Sequence, residues 1–264
     1  MAGRGFLMEP GAVPARLGRD EVHLWRTSTR VSPILACDLQ ALLSRDERAR
    51  ALRFRRDADR ERYVVAHAML RLVLSHYVGA PPAELAFEVE AHGKPGLRAI
   101  PESGPSFNLA HSGELALLAV SGGPAVGVDV EEIRDDVEVP ALGRAVLSKA
   151  ERRVLHAAPP ERQRSLFFRC WARKEAVLKG CGVGLALEPD RVIVLQGETK
   201  DDTGFVAVKL SAGPAQWGVR DVEIGERYAG AVAAPGRDWT LRCFEHRWSA
   251  LTRPASSPGR DRPG

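Results

Sequence analysis

Apolar residues along the chain fall into runs whose spacing separates helices from strands. Ala66, Leu70, Val73 and Tyr77 recur at helical spacing and predict one buried stripe, closed by Gly79-Ala80-Pro81-Pro82. Ahead of it, Ser44-Arg45-Asp46-Glu47 is an S-x-x-E capping box that predicts a further helix, and Val22 to Trp25 reads as a strand. Strands are expected next at Leu85 to Val89, Ser106 to Leu109, Leu115 to Val120 and Val126 to Glu131, forming an antiparallel meander. A second capping box, Ser148-Lys149-Ala150-Glu151, opens another helix. Pro159-Pro160-Glu161 opens a longer one that is expected to run to Lys179 and stop at Gly180. Only strands follow: Arg191 to Leu195, Phe205 to Leu210, Val219 to Ile224, Tyr228 to Ala233 and Trp239 to Phe244.

Strand, then helices, then strands occurs once in each half. The pattern therefore predicts an α+β protein of two similar α+β halves, residues 19–125 and 126–250. The flanks, 1–18 and 251–264, are rich in Gly, Pro, Ser and Arg and are expected to be disordered. With 264 residues, 44% of them hydrophobic, the chain can bury a core, which excludes disorder throughout. Its 38 Lys+Arg against 34 Asp+Glu leave +4, a modest basic bias that permits an anionic partner without requiring one. Cys37, Cys170, Cys181 and Cys243 form no C-x-x-C pair, which argues against a zinc site or a disulfide framework. No run approaches the roughly 18 apolar residues of a membrane span, and the start lacks the apolar core of a secretory signal. A cytoplasmic protein without a membrane partner is expected.

Val126-Gly127-Val128-Asp129-Val130-Glu131 is the most informative segment. Strand period puts the valines on one face and Gly127, Asp129 and Glu131 on the other, the carboxylates about 7 Å apart. Two like charges on one face repel unless a cation lies between them, and Mg²⁺ takes a few carboxylates plus substrate phosphate. The same alternation also suits a half-wet edge strand, so the residues alone leave both readings open. Gly127 is expected to leave room for a bulky ligand. On the long helix, Trp171, Glu175 and Lys179 are spaced four apart and share one stripe, a constellation that also fits an ordinary surface ion pair.

In Phe107-Asn108-Leu109-Ala110-His111-Ser112-Gly113 a strand ends in polar groups. His111 and Ser112 are consecutive and face opposite sides, which disfavours a serine nucleophile. An arginine-rich stretch, Arg45 to Arg62, suits phosphate, but interleaved acids and the lack of a stacking series argue against nucleic acid.

Gly93-Lys94-Pro95, then Phe107-Asn108-Leu109-Ala110-His111-Ser112, then Gly127-Val128-Asp129-Val130-Glu131, then Trp171-Ala172-Arg173-Lys174-Glu175-Ala176-Val177-Leu178-Lys179 stand in that order. The combination resembles the 4′-phosphopantetheinyl transferases of the surfactin-synthetase-activating type, over roughly residues 44 to 190. The resemblance implies a monomer of two similar halves with holo-[acyl-carrier-protein] synthase activity. Such an enzyme moves the phosphopantetheine arm of coenzyme A to a serine of an acyl or peptidyl carrier protein, releasing adenosine 3′,5′-bisphosphate.

By the same resemblance Asp129, Glu131 and Glu175 would hold Mg²⁺, or Mn²⁺, with Glu175 also open to the role of proton acceptor. Lys179 would steady charge on the phosphates. Gly93, Lys94, Pro95, Asn108, His111 and Ser112, with Arg50, Arg53, Arg56 and Arg62, would serve coenzyme A, His111 also acting in catalysis, and Asn108 ordering its turn more than touching substrate. Glu151 matches an acidic family position near the metal, or simply caps its helix. Ala110 departs from the serine common before the histidine. The rival functions are a magnesium-dependent phosphohydrolase acting on coenzyme A or a nucleotide, and a silent carrier-binding module.

Overall fold

The structure, a computed structural model, describes residues 17–89, 94–98, 104–182, 187–195, 206–208 and 216–248. The expected tails thus lie almost wholly outside the described residues, as does Gly93. Leu17 is described, and it already packs on the core beside the first sheet.

Strand β1 (Glu21–Ser28) opens the fold, followed by α1 (Pro33–Gln40), α2 (Arg45–Ala51) and α3 (Asp57–Val78). The β2–β3 hairpin (Phe87–Val89, Pro95–Leu97) and strands β4 (Ser106–Ser112) and β5 (Leu115–Ser121) complete the first half. Strand β6 (Gly127–Glu132) then leads into α4 (Val139–Val146), α5 (Lys149–Ala157) and α6 (Pro160–Cys181). Strands β7 (Val206–Val208), β8 (Trp217–Val222), β9 (Tyr228–Pro235) and β10 (Thr240–Glu245) complete the described elements. Two four-stranded sheets result, ordered β10-β1-β5-β4 and β6-β9-β8-β7. None of the described helices is long and apolar enough to cross a membrane.

Alternation along the strands decides the layers. Val22, Leu24 and Ala119 of the first sheet share a core with Val128, Val130 and Val232 of the second. The opposite face of the first sheet, with Trp25 and Leu118, receives Met69, Leu70 and Val73 of α3. The opposite face of the second, with Ala231, Ala233 and Trp217, receives Phe168, Ala172 and Ala176 of α6. Each fully buried Leu, Val or Phe contributes about 1.5–3 kcal/mol, so these cores hold helices and sheets in fixed relation.

A repeated polar node underlies both halves. In the first, the Ser44 capping box presents Glu47 to Arg71 of α3 at 2.7 Å and to His67 Nδ1 at 2.9 Å. Arg71 in turn donates to the carbonyls of Pro82, which opens a 3-10 turn, and Leu85, which caps it. In the second, the Ser148 capping box presents Glu151 to Lys174 of α6 at 2.7 Å, with Cys170 Sγ at 3.7 Å. Lys174 donates to the carbonyls of Pro189 and Val192 around another 3-10 turn. Two similar α+β halves are therefore present.

Several expectations are corrected. The meander ends at β5, because β6 leaves for the second sheet and pairs with β9. A side chain replaces the ladder there: the Val128 N–H donates to Asn108 Oδ1 of the edge strand β4 at 2.9 Å. Arg191 to Leu195 is not a strand, since other side chains take its backbone groups. Glu151 accepts from Val194 N and Leu195 N, Lys174 donates to Val192 O, and Arg173 donates to Val194 O.

Helix α1, capped by Ser32 with Pro33 behind it, was not anticipated, nor was α4. Helix α6 runs past Gly180 to Cys181 and ends at Gly182, whose φ of +65° suits a left-handed cap. Strand β10 runs parallel to β1 in the first sheet, so the sheets do not follow a division at residues 125 and 126.

Candidate active site at the seam of the two halves

Strand β6 lies directly against α6, and Gly127 is the reason it can. A Cβ on Gly127 would come within 1.9 Å of Ala176 O, and one on Gly180 within 2.5 Å of the Trp217 ring. The space that sequence reasoning assigned to a ligand is thus occupied by the helix backbone. This close approach sets Asp129 and Glu131 beside the last turns of α6, which carry Glu175 and Lys179.

Lys179 Nζ bonds Asp129 Oδ1 at 2.5 Å. Asp129 is 3% exposed, and its Oδ2 is buried without a hydrogen-bond partner, a condition that costs about 1–3 kcal/mol. Burial raises the Asp129 carboxyl to about 7 against the pull of Lys179, with Glu131 and Glu175 adding like charge. Glu131 is also pushed up by burial, with Lys179 and the Ser112 hydroxyl opposing. Burial would lower Lys179, but Asp129, Glu175 and Glu131 prevail and hold it above the ordinary lysine value. A lysine therefore compensates a group of acids, drawn from elements fifty residues apart.

Strand β4 supplies the opposite wall. The Ser112 hydroxyl donates to Glu131 Oε2 at 3.3 Å and accepts from Glu132 N at 3.0 Å. His111, on the other face of the strand, is pushed down to about 4, chiefly by burial and further by His67, Arg62 and Lys179. It is a neutral imidazole at pH 7, able to donate or accept a hydrogen bond but not to supply a charge.

The structure thus brings together Asp129, Glu131, Glu175, Lys179 and Ser112, while His111 lies on the far face of β4 and Arg62 reaches the tip of the same hairpin through Gly113 O. It places other expected residues differently. Lys94 spans the halves, its ammonium donating to Val126 O at 3.2 Å and to Gly180 O at 3.1 Å. Pro95 is exposed in β3. Asn108 is buried within β4 and, in place of ordering a turn, joins that strand to β6 by accepting from Val128 N. Arg50, Arg53 and Arg56 lie on the exposed surface around α2, Arg50 standing over the Tyr63 ring at 5.8 Å. Glu151 is fully buried in its capping box and on Lys174, which accounts for it structurally.

Sequence reasoning missed two features: the seat of Lys179 on Asp129, and the hydrogen bond between Ser112 and Glu131. The four-residue spacing of Glu175 and Lys179 could have suggested that the lysine serves nearby acids. Nothing local could have named Asp129 as its partner. Among the described residues, no three His, Cys, Asp or Glu side chains already stand at metal-binding spacing. The donor set nevertheless suits a hard cation, being all carboxylate and including the orphaned Oδ2 of Asp129.

Residues 125–233 match the model of the 4′-phosphopantetheinyl transferase superfamily, and residues 21–122 match that of a 4′-phosphopantetheinyl transferase N-terminal domain. The chain is 36% identical over 228 residues to the 4′-phosphopantetheinyl transferase HetI of Nostoc sp., covering 86% of this chain and 93% of that protein. It is 30% identical over 201 residues to a 4′-phosphopantetheinyl transferase of Bacillus subtilis, covering 76% and 86% respectively. Against the 4′-phosphopantetheinyl transferase psf-1 of Bacillus pumilus the figures are 36% over 148 residues, 56% and 61%. With both halves matched and a relative aligned over most of both chains, the chain belongs to the 4′-phosphopantetheinyl transferase superfamily.

Proposed function

We propose that this transferase moves the phosphopantetheine arm of coenzyme A onto a serine hydroxyl of an acyl or peptidyl carrier protein, leaving adenosine 3′,5′-bisphosphate. One observation carries the reading: Asp129 and Glu131 of β6 stand with Glu175 and Lys179 of α6 at the seam of the halves. Splitting a diphosphate with an incoming alcohol needs charge neutralisation and a proton acceptor, and this seam holds groups for both.

Asp129, Glu131 and Glu175 would hold Mg²⁺ or Mn²⁺, which when bound offsets the negative charge of the diphosphate. Glu175, half-exposed on α6, would take the proton of the serine. Lys179 is one-third exposed, so its ammonium can face the departing bisphosphate as well as Asp129. His111, neutral, orients the diphosphate by hydrogen bonding. Arg50, Arg53 and Arg56 form the exposed basic surface available to the anionic nucleotide end.

The test is incubation with coenzyme A and an apo carrier protein, followed by intact mass of the carrier. Attachment of the arm is expected, and Asp129→Ala or chelation of divalent ions should abolish it. Cleavage of coenzyme A without attachment would mark a hydrolase instead, and transfer surviving both treatments would sink the assignment of the acids.

A further inference from the structure

The tip of the β4–β5 hairpin, Ser112-Gly113-Glu114, is held by four separate elements. Arg62 of α3 donates from Nε to Gly113 O at 2.6 Å. Thr29, just past β1, donates its N–H to Glu114 O at 2.9 Å. Tyr228 Oη of β9 accepts from Glu114 N at 3.0 Å. From β6, Glu131 and Glu132 engage the Ser112 hydroxyl. Gly113 has φ +54°, and a Cβ there would come within 2.8 Å of the Glu132 carboxylate and of Tyr228 Oη. Only glycine fits so tight a junction, where a helix of one half meets strands of the other.

Arg62 is committed to this junction. Its Nε serves Gly113, its Nη1 bonds Asp59 at 3.1 Å, and its side chain is 27% exposed. An arginine that grips phosphate bidentately presents its fork to the ligand, whereas this one turns two of its three nitrogens onto protein acceptors. A short path leads onward: Gly113 adjoins Ser112, and Ser112 Oγ donates to Glu131 Oε2.

We propose that Arg62 is a positioning residue for the transfer reaction, holding the hairpin tip so that Ser112 keeps the Glu131 carboxylate aligned with Asp129 and Lys179. On this assignment its contribution to the reaction runs through Gly113 and not through the 3′-phosphate of coenzyme A. The inference rests on the function proposed above. Groups that orient a metal-binding carboxylate typically change metal affinity by about 10- to 100-fold when removed, and this sets the size of the effect.

The test compares the full-length wild type with Arg62→Gln and Arg62→Lys. Binding of Mn²⁺ without coenzyme A is followed by electron paramagnetic resonance, and kcat/KM is measured for coenzyme A and for 3′-dephospho-coenzyme A. Arg62→Gln should weaken Mn²⁺ binding about 10-fold and lower kcat/KM for both donors by one common factor. Arg62→Lys keeps a donor for Gly113 O and should recover most of both losses. Unchanged Mn²⁺ binding in Arg62→Gln overturns the inference, and so does a loss seen with coenzyme A but spared with 3′-dephospho-coenzyme A. Failure of the underlying function is read separately, from the wild type alone, as absence of the arm on the carrier.

Discussion

The two halves repeat one scaffold and differ in what they place on it. Glu47 with Arg71 and Glu151 with Lys174 are the same device, a capping-box acid tied to a cation on the long helix, which clamps a 3-10 turn. Next to that device the halves diverge. In the second, the strand facing the long helix carries Gly127, Asp129 and Glu131, and Lys179 answers from the helix. In the first, β1 carries His23 and Trp25 beside α3, and Tyr77 closes the space, its hydroxyl meeting His23 Nδ1 at 2.8 Å and Trp25 Nε1 at 2.9 Å. Chemistry arises from a few substitutions on a shared frame, and one half carries the acids while the other is filled with aromatic groups.

The largest expected effect breaks the likeness of the two nodes. Glu151 and Lys174 are both 0% exposed, whereas Glu47 is 11% exposed and keeps His67 as a second partner. Lys174→Met leaves a buried acid without its cation and should cost about 3–5 kcal/mol in urea unfolding. Arg71→Met should cost less, about 1.5–3 kcal/mol. Equal losses would mean that the sealed node is no more dependent on its cation than the open one.

Acid sharpens the same contrast. Burial alone would raise Glu47, but the His67 hydrogen bond, the Ser44 amide and the Arg71 charge bring it down to about 2. A carboxyl lowered on folding contributes stability that is complete above its ordinary value of 4.5 and is lost as pH falls toward 2. Melting curves between pH 6 and 2 should show a loss of roughly 2–3 kcal/mol from this group. Glu47→Gln should flatten that limb, and an undiminished slope in the variant would place the acid sensitivity elsewhere.

The smallest effect concerns the aromatic filling. Tyr77→Phe removes the hydroxyl shared by His23 and Trp25 and should cost about 1 kcal/mol. Arm transfer should proceed at the wild-type rate, because Tyr77 lies in the half without the acids. A fall in rate with stability little changed would show that the first half contributes more than support.

What could be read from the sequence was local. Both capping boxes, the alternation of β6 and the stripe of Glu175 and Lys179 depend on neighbours within a turn or a strand, and all are present. What could not be read depends on distant partners. The segment 191–195 has β-type composition, yet its backbone is satisfied by Glu151, Arg173 and Lys174. Gly127 looked like room for a ligand until the packing of α6 filled it. The meeting of Lys179 with Asp129 likewise follows from how the sheet and helix dock, which no window of sequence contains.

The return of β10 to the first sheet has a consequence for the chain as a mechanical object. Residues Thr240–Glu245 zip alongside Glu21–Arg26, so β10 acts as a clasp that fastens the segment following the second sheet to the first strand described. Were the chain cut between the halves, the leading piece would expose the bare flank of β1, whose open amides and carbonyls invite pairing with other molecules. Loosening that clasp should therefore disturb both halves at once, because one strand of the first sheet is supplied by the segment that follows the second.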